Sequence, residues 1–163
     1  TIVEKVSNDH VKVSSSLISQ NIQNGLMEAA EEGLGRPYTI RGFVIGGRRQ
    51  GSKIGFPTAN LAYSSEYLLP KNGVYFGITT VKGKSYRSMI NVGHNPTFNH
   101  RSDVSIETNI LDFNTMIYGE EMSIAFLHYS RPELKLSSVD ELIKVMNQDR
   151  NQCVEYFNEH PIT

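Results

Sequence analysis

The sequence predicts a mainly β fold, an antiparallel barrel or sandwich preceded by short helices and closed by one long helix. Three observations carry this. Segments 38–45, 74–81, 85–92, 104–110 and 122–129 are rich in β-branched and aromatic residues and are separated by short Gly/Asn/Pro turns. No helical pattern alternates with them, which disfavours a parallel α/β sheet and a dinucleotide-binding fold. Beyond them, Val139, Leu142, Ile143, Met146, Cys153, Val154 and Phe157 recur at three-and-four spacing, the mark of a helix with one apolar face.

In chain order, residues 1–36 form a helical lead-in and residues 37–163 the main domain. Ser14, Ser15 and Ser16 offer N-caps to a helix carrying Leu17, Ile18 and Ile22. A second short helix follows Asn24-Gly25 and ends at Leu34-Gly35-Arg36-Pro37, where the glycine suits a C-cap and the proline cannot continue the helix. Val81-Lys-Gly83-Lys is a hairpin signal. Ser138-Val-Asp-Glu141 is a capping box for the final helix, whose apolar stripe is expected to pack on the barrel as core.

Composition narrows the function. The chain of 163 residues can bury a real core, and its net charge of −1 supplies no global field for nucleic acid or an anionic membrane. Any phosphate site must therefore be local. No apolar run approaches a membrane span, and no signal-peptide pattern is present. Cys153 is the sole cysteine, which excludes an intramolecular disulfide and fits a reducing compartment such as the cytoplasm. The five histidines lack metal-ligand spacing, which argues against a structural zinc site, and no G-x-S-x-G elbow supports a nucleophilic hydrolase. The chain opens on Thr1, as a processed form or an excised fragment would.

The most informative stretch is Gly47-Arg-Arg-Gln-Gly51-Ser-Lys53-Ile-Gly55-Phe56-Pro57-Thr58-Ala-Asn60. Glycines let backbone N–H groups crowd around an oxyanion, Arg48, Arg49 and Lys53 add charge, and Thr58 and Asn60 offer the hard oxygens that Mg²⁺ prefers. Residues 46–53 mimic a P-loop, but with Ser and Lys reversed, and Gly55 and Pro57 deny the helix a P-loop needs. Composition alone also allows a solvated glycine hairpin loop.

Three further segments stand out: Asn91-Val-Gly93-His-Asn-Pro96-Thr97-Phe98, Ser105-Ile-Glu107-Thr-Asn109-Ile-Leu-Asp112-Phe113, and Tyr118-Gly119 with Arg131-Pro-Glu133. Alternation sets Glu107, Asn109 and Leu111 opposite Ile106, Thr108 and Ile110. Glu107 then either faces solvent, as most glutamates do, or lines a pocket. Tyr118-Gly119 reads equally as a plain turn, and Arg131 with Glu133 as a surface charge pair.

Assembled, these motifs resemble the riboflavin kinase (flavokinase) family, in particular the C-terminal kinase half of the bacterial bifunctional riboflavin kinase/FMN adenylyltransferases. The resemblance runs from about Leu34 to about Tyr156 and rests on G-x-x-x-G-x-x-x-G-F-P-T-A-N, N-V-G-x-N-P-T-F, E-T-x-I-L-D-F, Y-G and R-P-E in order. It implies a six-stranded Greek-key barrel with a C-terminal helix, and ATP-dependent phosphorylation of riboflavin to FMN. Gly47, Gly51, Lys53, Gly55, Phe56 and Pro57 would cradle ATP, and Thr58 and Asn60 would hold its phosphates and Mg²⁺, with Zn²⁺ as the alternative metal. Glu107 would be the general base. Asn91, Gly93, Pro96, Thr97, Tyr118, Arg131 and Glu133 would bind the flavin, with the exposed side of the final helix.

Lys12-Val-Ser-Ser-Ser16-Leu-Ile18 resembles the segment that closes the adenylyltransferase domain, to which the kinase would be covalently joined in the full-length protein. The chain departs from the family pattern at Ser19, at Ser52 (both usually arginine), at Asn109 (often histidine) and at Leu136 (often phenylalanine). The alternatives are a flavin-binding regulatory module without turnover, which would need no base, and a nucleic-acid-binding barrel. The charge balance and the lack of aromatic-plus-basic strand faces speak against the latter.

Overall fold

The computed structural model describes residues 15–46, 58–94, 104–111 and 117–161. Helix α1 (15–23) turns at Gly25 into α2 (Met27–Leu34). Six strands follow: β1 (Tyr38–Gly46), β2 (Ala59–Tyr63), β3 (Gly73–Val81), β4 (Lys84–His94), β5 (Val104–Ile110) and β6 (Glu121–Arg131). Helix α3 (Val139–Glu159) ends the described chain.

The strands close into an antiparallel barrel in the order β1-β2-β5-β4-β3-β6. β3, β4 and β5 are successive neighbours and β6 returns beside β3, which is a Greek key. The β3–β4 hairpin uses the predicted turn, with Lys82 at φ 53° and Gly83 at φ 78°, the paired left-handed residues of a type I′ turn. Five strands lie where the apolar patterning puts them. β2 does not: its five residues directly follow the glycine segment, and they are held by cross-strand pairing with β1 and β5.

Alternation fills the interior with Ile40, Val44, Leu61, Tyr75, Ile90, Val92, Ile106, Ile110, Met122, Ile124 and Phe126, all buried. Ile22, Met27 and Ala30 belong to the same core, so the lead-in helices close one side of the barrel. His128 Nδ1 meets Glu28 Oε2 at 2.6 Å and fastens α2 to β6.

A hydroxyl chain crosses the interior. Ser88 Oγ donates to the Gly77 carbonyl at 3.1 Å, and Thr79 Oγ1 lies 2.8 Å from both Ser88 Oγ and Thr108 Oγ1. Each hydroxyl has one proton, so the direction is set: Thr108 donates to Thr79, Thr79 to Ser88, and Ser88 to Gly77. This chain ties β5 to β3 and β4 immediately beside Glu107.

Ser138 caps α3, its Oγ accepting from the Glu141 N–H at 3.1 Å. The reciprocal half of the box is shifted by one residue. Glu141 Oε2 accepts from the N–H of Ser137 at 2.9 Å and from its hydroxyl at 3.0 Å, and these bonds hold the Glu141 carboxyl below its ordinary pKa. The apolar stripe of α3 divides in two. Cys153 and Phe157 are buried against Phe76, Met89 and Leu111, as expected of core. Val139 and Val154 are exposed, Leu142 lines a cavity, and Met146 lines that cavity while also touching the core cluster, so the expectation of one continuous core stripe is corrected.

Candidate active site

The strand registers build a row across the outer face of the barrel. Asn60 pairs with Glu107, Glu107 with Asn91, Asn91 with Val74, and Val74 with Arg131. The row spans β2, β5, β4, β3 and β6. Ile106, Thr108 and Ile110 point into the barrel, which sends Glu107 and Asn109 outward as alternation requires.

Outward here does not mean solvated. Glu107 is 6% exposed and Asn60 6%. The pocket reading of Glu107 therefore replaces the solvent reading that its residue type favours. The reason is tertiary: the connector 132–136 and the first half of α3 cross this face and enclose a cavity of about 200 Å³. Met89, Asn91, Glu107 and Asn109 form its floor, with Leu134, Leu136, Leu142 and Met146 as an apolar wall. Thr58 stands at its edge. An apolar wall facing a floor of fixed polar groups can take an aromatic ligand with polar substituents.

A second cavity, of about 400 Å³, opens beside Asn60 and is lined by Ile45, Ala62, Tyr63, Tyr67 and Leu69. Ser105 lines both cavities and donates from Oγ to the Gly93 carbonyl at 3.1 Å. The Tyr63 hydroxyl donates to the Val104 carbonyl and joins β2 to the start of β5. The β2–β5 ladder, bearing Asn60 and Glu107, thus separates two recesses.

The remaining predicted residues fall out as follows. Gly93 is a close-approach position: a Cβ there would lie 2.2 Å from Glu133 Oε2, so the Glu133 carboxylate packs directly on the Gly93 backbone. Arg131 pairs with Asp149 of α3 and not with Glu133, at 2.8 Å from Nε to Oδ1 and 2.7 Å from Nη2 to Oδ2. Tyr118 is 68% exposed, sits in the turn before β6 and is not among the residues lining the first cavity. Gly47, Gly51, Lys53, Gly55, Phe56, Pro57, Pro96 and Thr97 lie outside the described residues.

A β-bulge aims Arg131. Tyr75 faces Tyr129 and Val74 faces Arg131, leaving Ser130 as the extra residue of β6. β6 carries a second such shift at Leu127: that one turns Tyr129 inward, and the one at Ser130 returns Arg131 to the cavity side. Sequence reasoning missed Asp149, Leu142, Met146 and the tyrosines of the second cavity. One signal was available for Asp149. It follows Leu142 and Met146 at i+7 and i+3, an acid set into an apolar helix face, and such an acid is buried only when paired.

Other chemistry finds no support. Burial pushes the Cys153 thiol up to about 12, so it is not a thiolate nucleophile at neutral pH. Among the described residues no group of three or more His, Cys, Asp or Glu could hold a metal, and no helix is long and apolar enough to cross a membrane.

The closed Greek-key barrel thus carries a buried, strand-borne carboxylate on the ladder between two recesses. The chain belongs to the riboflavin kinase (flavokinase) family, whose model matches residues 34–157. It is 39% identical over 160 residues to the bifunctional riboflavin kinase/FMN adenylyltransferase of Bacillus subtilis, covering 97% of this chain and 51% of that protein. The chain spans about half the length of the curated relatives it matches first. The riboflavin kinase of Trypanosoma brucei superposes with a TM-score of 0.59 at 25% identity, over 75% of this chain and 80% of that one. A macrolide-efflux protein of Streptococcus pneumoniae superposes with a TM-score of 0.78 at 37% identity, over 84% of this chain and 45% of that one.

Proposed function

We propose that this chain transfers the γ-phosphoryl group of ATP to the ribityl 5′-hydroxyl of riboflavin, giving FMN and ADP. The observation that carries the proposal is the side-by-side placement of Asn60 and Glu107 on the ladder between the two cavities. The apolar cavity under α3 suits the flavin ring. The recess lined by Tyr63, Tyr67 and Leu69 suits the nucleotide base, with the segment 47–57 cradling the phosphates.

The O–P bond forms at the 5′-oxygen while the bond between the γ-phosphorus and the bridging oxygen to ADP breaks. The hydroxyl proton passes to the Glu107 carboxylate. A base fixed on a strand is held more firmly than one on a loop, which suits in-line attack. Thr58 and Asn60 present neutral hard oxygens, the donor type that Mg²⁺ takes together with substrate phosphates and water. Bound there, Mg²⁺ would neutralise charge on the transferring phosphoryl group. Zn²⁺ is the weaker fit, since no His or Cys lines either cavity among the described residues.

In the whole protein, the kinase is proposed to be joined to an FMN adenylyltransferase domain, with residues 1–36 as the junction. The cytoplasm, reducing and supplied with ATP, suits both the reaction and the single cysteine.

The proposal is tested by incubating the protein with riboflavin, ATP and Mg²⁺ and resolving FMN by chromatography. FMN above a heat-killed control is expected; none would overturn it. Within that assay, Thr58→Ala and Asn60→Ala should each raise the KM for Mg–ATP by about tenfold, with riboflavin affinity near the wild-type value. Wild-type Mg²⁺ dependence in both variants would remove these residues from the metal and phosphate site.

A further inference from the structure

We infer that Asp149 is a positioning residue for the flavin substrate, acting through Arg131 to hold the outer wall of the first cavity in place. The inference rests on the proposed function and adds a residue to it. Asp149 is 6% exposed and both its oxygens are taken by the Arg131 fork, from Nε at 2.8 Å and Nη2 at 2.7 Å. Such a bidentate, charge-assisted pair fixes orientation as well as distance. Arg131 Nη1 also donates to the Pro132 carbonyl at 3.0 Å. One guanidinium thus pins three elements at once: the end of β6, the connector carrying Glu133, and α3.

Those elements make up the wall. Leu142, Met146 and Asp149 lie on one face of α3, and all three border the cavity, as Arg131 does. The apolar anchors of α3 are concentrated further along, at Cys153, Tyr156 and Phe157, and among the described residues only Met146 reaches the same cluster from the first half. The Arg131–Asp149 pair sits at the junction, where the helix leaves its core packing and starts to span the cavity. The β-bulge at Ser130 directs Arg131 to that point. Arg131 spends three of its donors on the protein, and its main work is to hold the wall.

Loosening the wall should reach riboflavin, which it touches, and spare ATP, which binds across the β2–β5 ladder. Asp149→Asn keeps the shape and removes the charge. In the full-length protein, the KM for riboflavin and the riboflavin dissociation constant from fluorescence quenching should both rise by about tenfold or more. The kcat and the KM for ATP should stay within about threefold. Arg131→Lys keeps the charge without the fork and should show the same split between substrates. A wild-type riboflavin KM in an active Asp149→Asn enzyme, or an equal rise in both KM values, would overturn the inference. Should Asp149→Asn fail to fold, Asp149→Glu carries the test. It keeps the pair and shifts the carboxylate by one methylene, and an unchanged riboflavin KM there would also overturn the role. If the wild-type protein makes no FMN, the proposed function fails and this inference falls with it.

Discussion

Glu107→Gln is expected to lower kcat by about 10²–10⁴-fold, the usual size of a general-base contribution, while the fold stays intact. The amide matches the carboxylate in shape but cannot take up the hydroxyl proton. Its neighbours argue for a clean substitution. Thr108 is bound to Thr79 on one side of β5, and the main chain is paired with β2 at Asn60 and with β4 at Asn91. These contacts hold the backbone in place whatever the charge of residue 107. Substrate binding should therefore change little, and the loss should appear in single-turnover rates. A Glu107→Gln enzyme turning over at the wild-type rate would show that another group accepts the proton.

The second large effect falls on stability. Phe126→Ala should cost about 3–5 kcal/mol, the range for truncating a buried aromatic residue. Phe126 is fully buried at the centre of the barrel. It meets Tyr75 edge-to-face at 5.2 Å and 87°, and lies 6.3 Å from Tyr38. Such contacts add to area burial, and the closed strands around the ring limit collapse into the space left. For a protein of this size the loss corresponds to a fall in Tm of about 10 °C. Phe126 lines neither cavity, so kcat measured well below the transition should stay near the wild-type value. A Tm within about 3 °C of the wild type would contradict the packing described for the interior.

Much of the fold is legible in the chain because it is written locally. Alternation marks β5 residue by residue, the Lys82-Gly83 turn sets a hairpin, and Ser138 starts α3. β2 was not legible: five residues beside a glycine loop carry too little pattern, and their strand state depends on partners distant in the chain. The site divides in the same way. Thr58, Asn60 and Glu107 stand out as residue types in unusual company, and the register brings the last two together. Burial of Glu107 depends on what packs over the barrel face, where the connector 132–136 and α3 line the same cavity, and no local signal reports that. Two extra residues in β6, Leu127 and Ser130, break strict alternation after Phe126: they turn Tyr129 inward, and because they cancel, Arg131 keeps the outward face.

The sequence by itself determined which segments become strands and helices, β2 excepted, which face of the regularly alternating strands enters the core, and which oxygen- and glycine-rich segments can handle phosphate. Those properties follow from backbone sterics and the two-residue and 3.6-residue periods, which act over a few neighbours. Only the tertiary structure decided that β2 lies between β1 and β5, that an outward glutamate is buried, and that Asp149 rather than Glu133 takes the Arg131 fork. Each of these is set by register and packing between elements distant in the chain, where a shift of one residue reverses a face.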